Sequence, residues 1–308
     1  MRIIKDTHID FMKQMRIGFI ISATIIIIGL ASLLINGGPK LSIDFEGGTM
    51  VAVNFNKEMD VNDVRTSLGN VSVDGVNYDF SRQEIKHFGS PNSISVRLAS
   101  EDGQHTNIAQ TVIDHLYNSF PEDVPDEPND FILTIEKVGP KVGAELSGKV
   151  VMAILSALGL ILIYISIRFE FKFALGAIAA LTHDVLITLG IFSVLGLEIS
   201  LPIIAAFLTI VGYSLNDTIV IFDRIRENIK ARRKDDYLSI INTSINESLN
   251  RTIVTSLTTF FVVFILWFFG GEVIHNFALA MMIGVVIGTY SSIYVASPIV
   301  ALLHSRAK

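Results

Sequence analysis

A few polar side chains stand in stretches where the rest of the chain is apolar. Leu201 to Phe222 is almost wholly apolar, yet near its end it reads Val-Gly-Tyr-Ser-Leu-Asn-Asp-Thr and so embeds Asn216 and Asp217. His183 and Asp184 sit at the middle of a second apolar run, and Arg251 opens a third. A carboxylate at bilayer depth costs about 2.5–3.5 kcal/mol on insertion scales, so such groups face a bundle interior and mark ion paths, proton relays or paired charges. For Asp217 the ordinary alternative is a hydrogen-bonded structural residue. Gly212, Tyr213, Ser214, Asn216 and Thr218 supply it with polar company, which favours ion handling. His183 and Asp184 fit either ion handling or mutual satisfaction, and as helix neighbours about 100° apart they cannot both face one partner directly. Arg251 either snorkels to the headgroups or bonds to Asp217, since both lie toward the same end of their helices.

Two aspartates on adjacent membrane helices also suggest an intramembrane aspartyl protease, in which paired carboxylates share a proton. The sequence disfavours an enzyme, because Asp184 and Asp217 are offset in depth and Asp217 lies in Ser-Leu-Asn-Asp rather than Gly-x-Gly-Asp. No catalytic residue and no metal ligand set is assigned.

The elements that must hold these residues are membrane helices. The chain has 308 residues, 50% hydrophobic and only 18% charged, which excludes an ordinary soluble globule. Apolar runs long enough to cross a core roughly 30 Å thick occupy residues 17–36, 150–167, 173–195, 201–222, 252–269 and 277–303. The first continues to Ile35 and lacks a small-x-small cleavage site, so it is expected to stay as an anchor. Cysteine is absent, which leaves no disulfide framework and no thiolate site.

Lys and Arg set the expected orientation. Arg2, Lys5, Lys13 and Arg16 precede the first run, Arg168 and Lys172 follow the second, Arg224 to Arg251 hold a basic cluster between the fourth and fifth, and Arg306 and Lys308 end the chain. With six spans all four groups fall on one side, while residues 196–200 and 270–276 contain no Lys or Arg. The expected organisation is therefore a cytoplasmic N-terminus (1–16), a first transmembrane helix (17–36), a periplasmic domain (37–147), transmembrane helices two to six (148–303) with a cytoplasmic loop (223–251), and a cytoplasmic C-terminus (304–308). The apolar stripe in the 223–250 segment reads as an interfacial helix pair whose basic cluster attracts lipid. Nucleic acid is not an expected partner.

Residues 37–147 carry 18 acidic against 8 Lys and Arg side chains, a net of −10. The pattern predicts strands over 49–55, 76–82, 93–98 and 131–138 and helices over 61–68, behind an Asp60 N-cap, and 106–120. That order is βαββαβ, a ferredoxin-like α+β domain. Pro121 to Asp130, with three prolines and five acids, reads as a solvated loop. Flanking the domain are Ile43-Asp44-Phe45-Glu46-Gly47-Gly48-Thr49 and Val138-Gly139-Pro140-Lys141-Val142-Gly143. Gly47, Gly48, Gly139 and Pro140 are expected hinges or turns, and no phosphate-loop pattern occurs.

These motifs, with Ala180-Leu181-Thr182-His183-Asp184, Val211-Gly212-Tyr213-Ser214 through Asn216-Asp217-Thr218-Ile219-Val220-Ile221-Phe222-Asp223-Arg224, and Asn250-Arg251-Thr252, closely resemble the SecD/SecF family of the RND-type superfamily over essentially the whole chain. The resemblance implies an RND-type half that pairs with SecD, docks on the SecYEG channel with YajC as a further associate, and uses an H⁺ or Na⁺ gradient, with no bound cofactor, to help draw a translocating preprotein across the inner membrane. It links Asp217 and Arg251 to ion transport and leaves an RND-type exporter of lipid or small molecules as the alternative.

Overall fold

The computed structural model describes residues 7–73, 76–98 and 108–305. Arg2, Lys5, Arg306 and Lys308 of the orientation argument, and the expected helix start at Thr106, lie outside the described residues. The elements run α1 (Met15–Ile35), α2 (Ile43–Glu46), β1 (Gly48–Asn54), α3 (Val61–Ser67), β2 (Val71–Val73), β3 (Val76–Tyr78), β4 (Glu84–Phe88), β5 (Ser90–Leu98), α4 (Ile108–Ser119), α5 (Pro128–Phe131), β6 (Ile132–Val138), α6 (Pro140–Arg168), α7 (Phe171–Val194), α8 (Leu201–Ala231), α9 (Tyr237–Phe269), α10 (Glu272–Ser291), a π turn (Ser292–Ala296) and α11 (Ser297–Ser305). They form two compact units, residues 1–40 with 151–308 and residues 41–150.

The smaller unit is an antiparallel four-stranded sheet in the order β4-β5-β1-β6 with α3 and α4 packed on it. This is the strand order of a ferredoxin-like βαββαβ fold. Val51, Val53, Ile94, Val96 and Leu98 alternate into the core against Val64, Val112 and Leu116, the period-2 and helical spacings that bury one face of each element. Asp60 caps α3 through Asn62 N at 2.7 Å, and Phe55 meets Phe131 and Phe120 edge-on. One expected strand is displaced. Residues 76–78 pair with 71–73 as a separate hairpin, and the sheet strand is β4. The loop 121–130 is mostly exposed, as its composition suggests, and is tied down near its middle. Val124 enters the core, and Asn56 bonds to both Asp123 O (2.7 Å) and Val124 O (2.9 Å).

The two glycine-containing segments come together at this unit's β1–β6 end. Gly47 and Gly48 have φ of 75° and 132°, a region that disfavours residues with a Cβ. A Cβ on Gly47 would sit 2.9 Å from Pro140 Cα, and one on Gly143 2.6 Å from Phe45 O. The two segments form a close backbone junction rather than separate loose turns.

The larger unit contains six helical stretches long and apolar enough to cross a membrane, among the described residues. Here α7, α8 and α10 make the buried centre, while α6 leaves Val151, Leu155, Leu160, Ile163 and Ile167 exposed, as an apolar face in lipid does. Helices approach where side chains vanish: a Cβ on Gly29 of α1 would fall 2.6 Å from Gly190 Cα of α7, and Ser32 and Ser193 bond at 2.8 Å beside that crossing. Such small-residue contacts are the usual means of membrane helix association. The 223–250 segment is not a separate pair of helices lying at an interface. Its two arms continue α8 and α9, clamped by Asn228 Nδ2 on Ser244 Oγ (3.0 Å) and Glu247 Oε2 (2.8 Å) and by Arg224 Nε on Glu247 (2.7 Å). Asn246 then pins the N-terminal segment by exchanging two hydrogen bonds with the Ile9 backbone, at 2.9 and 2.8 Å. Pro298, which has no N–H to give the preceding turn, follows the π turn between α10 and α11.

Candidate functional site

Asp217 is carried by α8 and Asp184 by α7, and the Asp184 carboxylate meets α8 at Ser214, three residues before Asp217. Asp217 is 3% exposed and Asp184 fully buried, but their bonding differs sharply. Asp217 Oδ2 accepts from Ser256 Oγ of α9 at a long 3.3 Å, and Ser256 Oγ lies 2.6 Å from Thr289 Oγ1 of α10. The hydroxyls of Tyr213, Thr218 and Thr252 are buried on the same two helices, α8 and α9, without a hydrogen-bond partner. Asp184 is held far more completely. Its Oδ2 accepts from Ser214 Oγ (2.5 Å) and Ser291 Oγ (2.8 Å), and its Oδ1 lies 2.8 Å from His183 Nδ1. His183 Nε2 meets Ser22 Oγ of α1 at 2.9 Å, and Ser22 meets Tyr290 Oη at 3.2 Å. The adjacent His and Asp therefore bond to each other while facing different helices.

Helix packing sets these positions. Gly284 lies directly beneath Ile210, and Gly288 beneath Ser214, where a Cβ would fall 3.0 Å from the serine. The absence of a side chain at 288 lets α10 come close enough for Ser291 and Ser214 to grip one carboxylate oxygen. The two aspartates share no hydrogen bond, and the carboxyl-sharing geometry of an aspartyl protease is not formed.

Arg251 does not bond to Asp217, contrary to what its depth along α9 allows. Ser256, which does reach Asp217, lies five residues on, about 140° around the helix, so the exposed Arg251 acts on Asp217 through its charge alone. Asn216 is exposed as well, with Gly212 one turn before it. Asp217, Asp184 and His183 stand out in the sequence as polar residues in apolar runs, whereas their partners Ser22, Ser256, Thr289, Tyr290 and Ser291 do not. One signal is present for α9: Ser244, Ser248, Thr252 and Ser256 repeat at i, i+4 and so line one face with small hydroxyl side chains.

The fold and site define a polytopic helical membrane protein with two buried carboxylates and an α+β domain between its first two spans. The family model described as "Protein export membrane protein SecD/SecF, C-terminal" matches residues 125–306. The chain is 45% identical to the protein translocase subunit SecF of Calditerrivibrio nitroreducens, over 98% of this chain and 96% of that one. It is 42% identical to that of Vibrio alginolyticus, over 95% and 89%. Among solved structures it resembles SecDF of Thermus thermophilus, described as a translocon-associated membrane protein, with a TM-score of 0.85 and 38% identity. The match covers 98% of this chain but only 39% of that one, so the chain spans about two-fifths of SecDF. A second SecDF structure, in a super-membrane-facing form, matches with a TM-score of 0.68. The chain belongs to the SecD/SecF family of protein export membrane proteins. It is a multi-pass inner-membrane protein of the Sec export pathway, and its named relatives are transport subunits rather than small-molecule exporters.

Proposed function

We propose that this chain is the SecF-type half of a SecD–SecF pair that couples an ion gradient to preprotein movement beside the SecYEG channel, and that Asp217 is the coupling residue. One observation carries this reading: a carboxylate 3% exposed among membrane helices with a single 3.3 Å hydrogen bond. A buried acid so poorly satisfied is costly unless it exchanges its charge for a proton or cation. Asp184, with three partners, is its well-satisfied counterpart.

In this reading Asn216, Gly212 and Arg251 form the face that SecD completes. SecDF is a longer chain that this one covers in part, which supports a partner that supplies the remainder. Arg251, exposed on this chain alone, is then within reach of an acid from SecD or of Asp217 in another state of the bundle. The N- and C-termini lie in the cytoplasm with the Arg224–Arg251 cluster, and the acidic 41–150 unit lies in the periplasm. Gly47, Gly48, Gly139 and Pro140 transmit motion to that unit as one junction. YajC and lipid complete the surroundings. A charge crossing 100 mV gains about 2.3 kcal/mol, enough to bias a bundle whose states differ by a few kcal/mol.

The test is preprotein export in inner-membrane vesicles with the proton and sodium gradients collapsed separately. Loss with one ionophore and not the other identifies the ion. Undiminished export with both gradients collapsed sinks the proposal.

A further inference from the structure

The hydrogen atoms around His183 can be counted. Tyr290 Oη lies 2.7 Å from the carbonyl of Gly18, which can only accept, so Tyr290 donates there. Ser22 must then supply the hydrogen for its contact with Tyr290, and His183 Nε2–H the hydrogen for its contact with Ser22. On the other side of the ring, Asp184 Oδ2 takes hydrogens from both Ser214 and Ser291, which holds negative charge on the carboxylate. The remaining proton between Nδ1 and Oδ1 therefore resides on Nδ1. Each of these contacts has a hydrogen when His183 carries both ring protons, with Ser291 sharing its one hydrogen between Asp184 and the Gly288 carbonyl at 3.2 Å.

The same count applied to Asp217 gives a chain that can run two ways. With Asp217 ionised, Thr289 donates to Ser256 and Ser256 to Asp217. That leaves the 2.8 Å contact between Thr289 Oγ1 and Val285 O without a proton. With a proton on Asp217, it donates to Ser256, Ser256 to Thr289 and Thr289 to Val285 O, and no contact is left empty. The proton stays on Asp217, and only the two hydroxyls rotate. Thr289 is two residues from Ser291, and Asp217 three from Ser214, so both helices that grip Asp184 also carry the Asp217 chain.

We propose that His183 and Asp184 form a second ionic site, a buried imidazolium–carboxylate pair of zero net charge, and that it senses the charge state of Asp217 through α8 and α10 and passes it through Ser22 to α1. The link, though not the pair itself, rests on the coupling role given to Asp217 above. The groups facing the pair are Ser22 and the Gly18 carbonyl from α1, Ser214 from α8 with Asp217 one turn along, and Ser291 and Tyr290 from α10, the tyrosine ring 6.0 Å from the imidazole.

The experiment is nitrogen-15 NMR of the histidine-labelled full chain with its SecD partner in lipid nanodiscs, with His183 assigned by its loss in His183→Gln. Both ring nitrogens should resonate as protonated at neutral pH, and Asp184→Asn should convert the ring to a neutral tautomer. Should Asp184→Asn not fold, Ser22→Ala should shift the Nε2 resonance alone. Compared with the unmodified protein at a pH where Asp217 is ionised, Asp217→Asn, which keeps a donor toward Ser256 and so holds the uncharged arrangement, should move both His183 resonances while leaving both nitrogens protonated. An unprotonated ring nitrogen in the unmodified protein overturns the pair, and His183 resonances indifferent to Asp217→Asn overturn the link. The readout involves no export: if the pair is found while Asp217→Asn still exports on an ion gradient, the coupling role fails and the pair stands.

Discussion

Asp217 and Asp184 are both acids in membrane helices, and their hydrogen bonds separate them. Three close contacts make Asp184 a structural anchor, whereas Asp217 shares one hydroxyl with Thr289. Ser256→Ala removes that hydroxyl and should lower ion-driven export about 10-fold or less without loss of folded protein, measured by transport initial rates and by thermal melting in detergent. A neutral hydrogen bond contributes about 0.5–1.5 kcal/mol, which sets that range. The sequence made Asp217, Asp184 and His183 legible because polar residues in apolar runs are conspicuous. It hid their partners because serine and threonine are ordinary in membrane helices, where their hydroxyls commonly bond to their own backbone, as Thr258 does to Val254 O. Depth along a helix was readable from residue count for Arg251, but the choice of face was not, since the α8–α9 contact that fixes it depends on packing.

At the scale of elements, close helix contacts are where change should cost most. Gly190→Val places three carbons against the backbone of α1 and should destabilise the larger unit by about 1–3 kcal/mol, seen as a lower midpoint in thermal unfolding, with Ser32 and Ser193 pulled apart. In the extension of α8 and α9 beyond their apolar stretches, Asn228→Ala leaves the buried Ser244 hydroxyl without its interhelical donor and should cost about 1–3 kcal/mol. On β6, Glu136 is pushed above the usual carboxylate range, first by partial loss of hydration and then by the Asp44 carboxylate. A raised folded value means that stability falls as pH rises from the unfolded value through the folded one. Glu136→Gln should therefore stabilise the α+β unit at neutral pH and lose its advantage below pH 4, followed by melting across that range. The misplaced strand has a physical origin too. Val76, Tyr78 and Phe80 alternate as a strand should, and they form the second arm of the hairpin and its exit, while β4, Glu-Ile-Lys-His-Phe, buries only Ile85. Its place in the sheet comes from pairing with β5, a tertiary contact that local pattern does not encode.

At the scale of the whole molecule, the six spans and the acidic domain were readable because bilayer thickness and backbone satisfaction leave few options. The charge pattern that orients them is open to a direct check, since the chain contains no cysteine. A cysteine placed at Glu122 in intact cells should react with a membrane-impermeant maleimide applied from outside, and one at Arg233 should react only after the membrane is permeabilised. The reverse pattern would invert the orientation. As the proposed coupling residue, the poorly satisfied Asp217 links ion movement to export. Its most direct test compares Asp217→Asn with Asp217→Glu in vesicles that hold an ion gradient, each with SecD present and protein levels matched. The asparagine variant should lose gradient-driven export while the ATP-driven step persists, and the glutamate variant should keep a measurable part of it. Full gradient-driven export by Asp217→Asn would contradict that role.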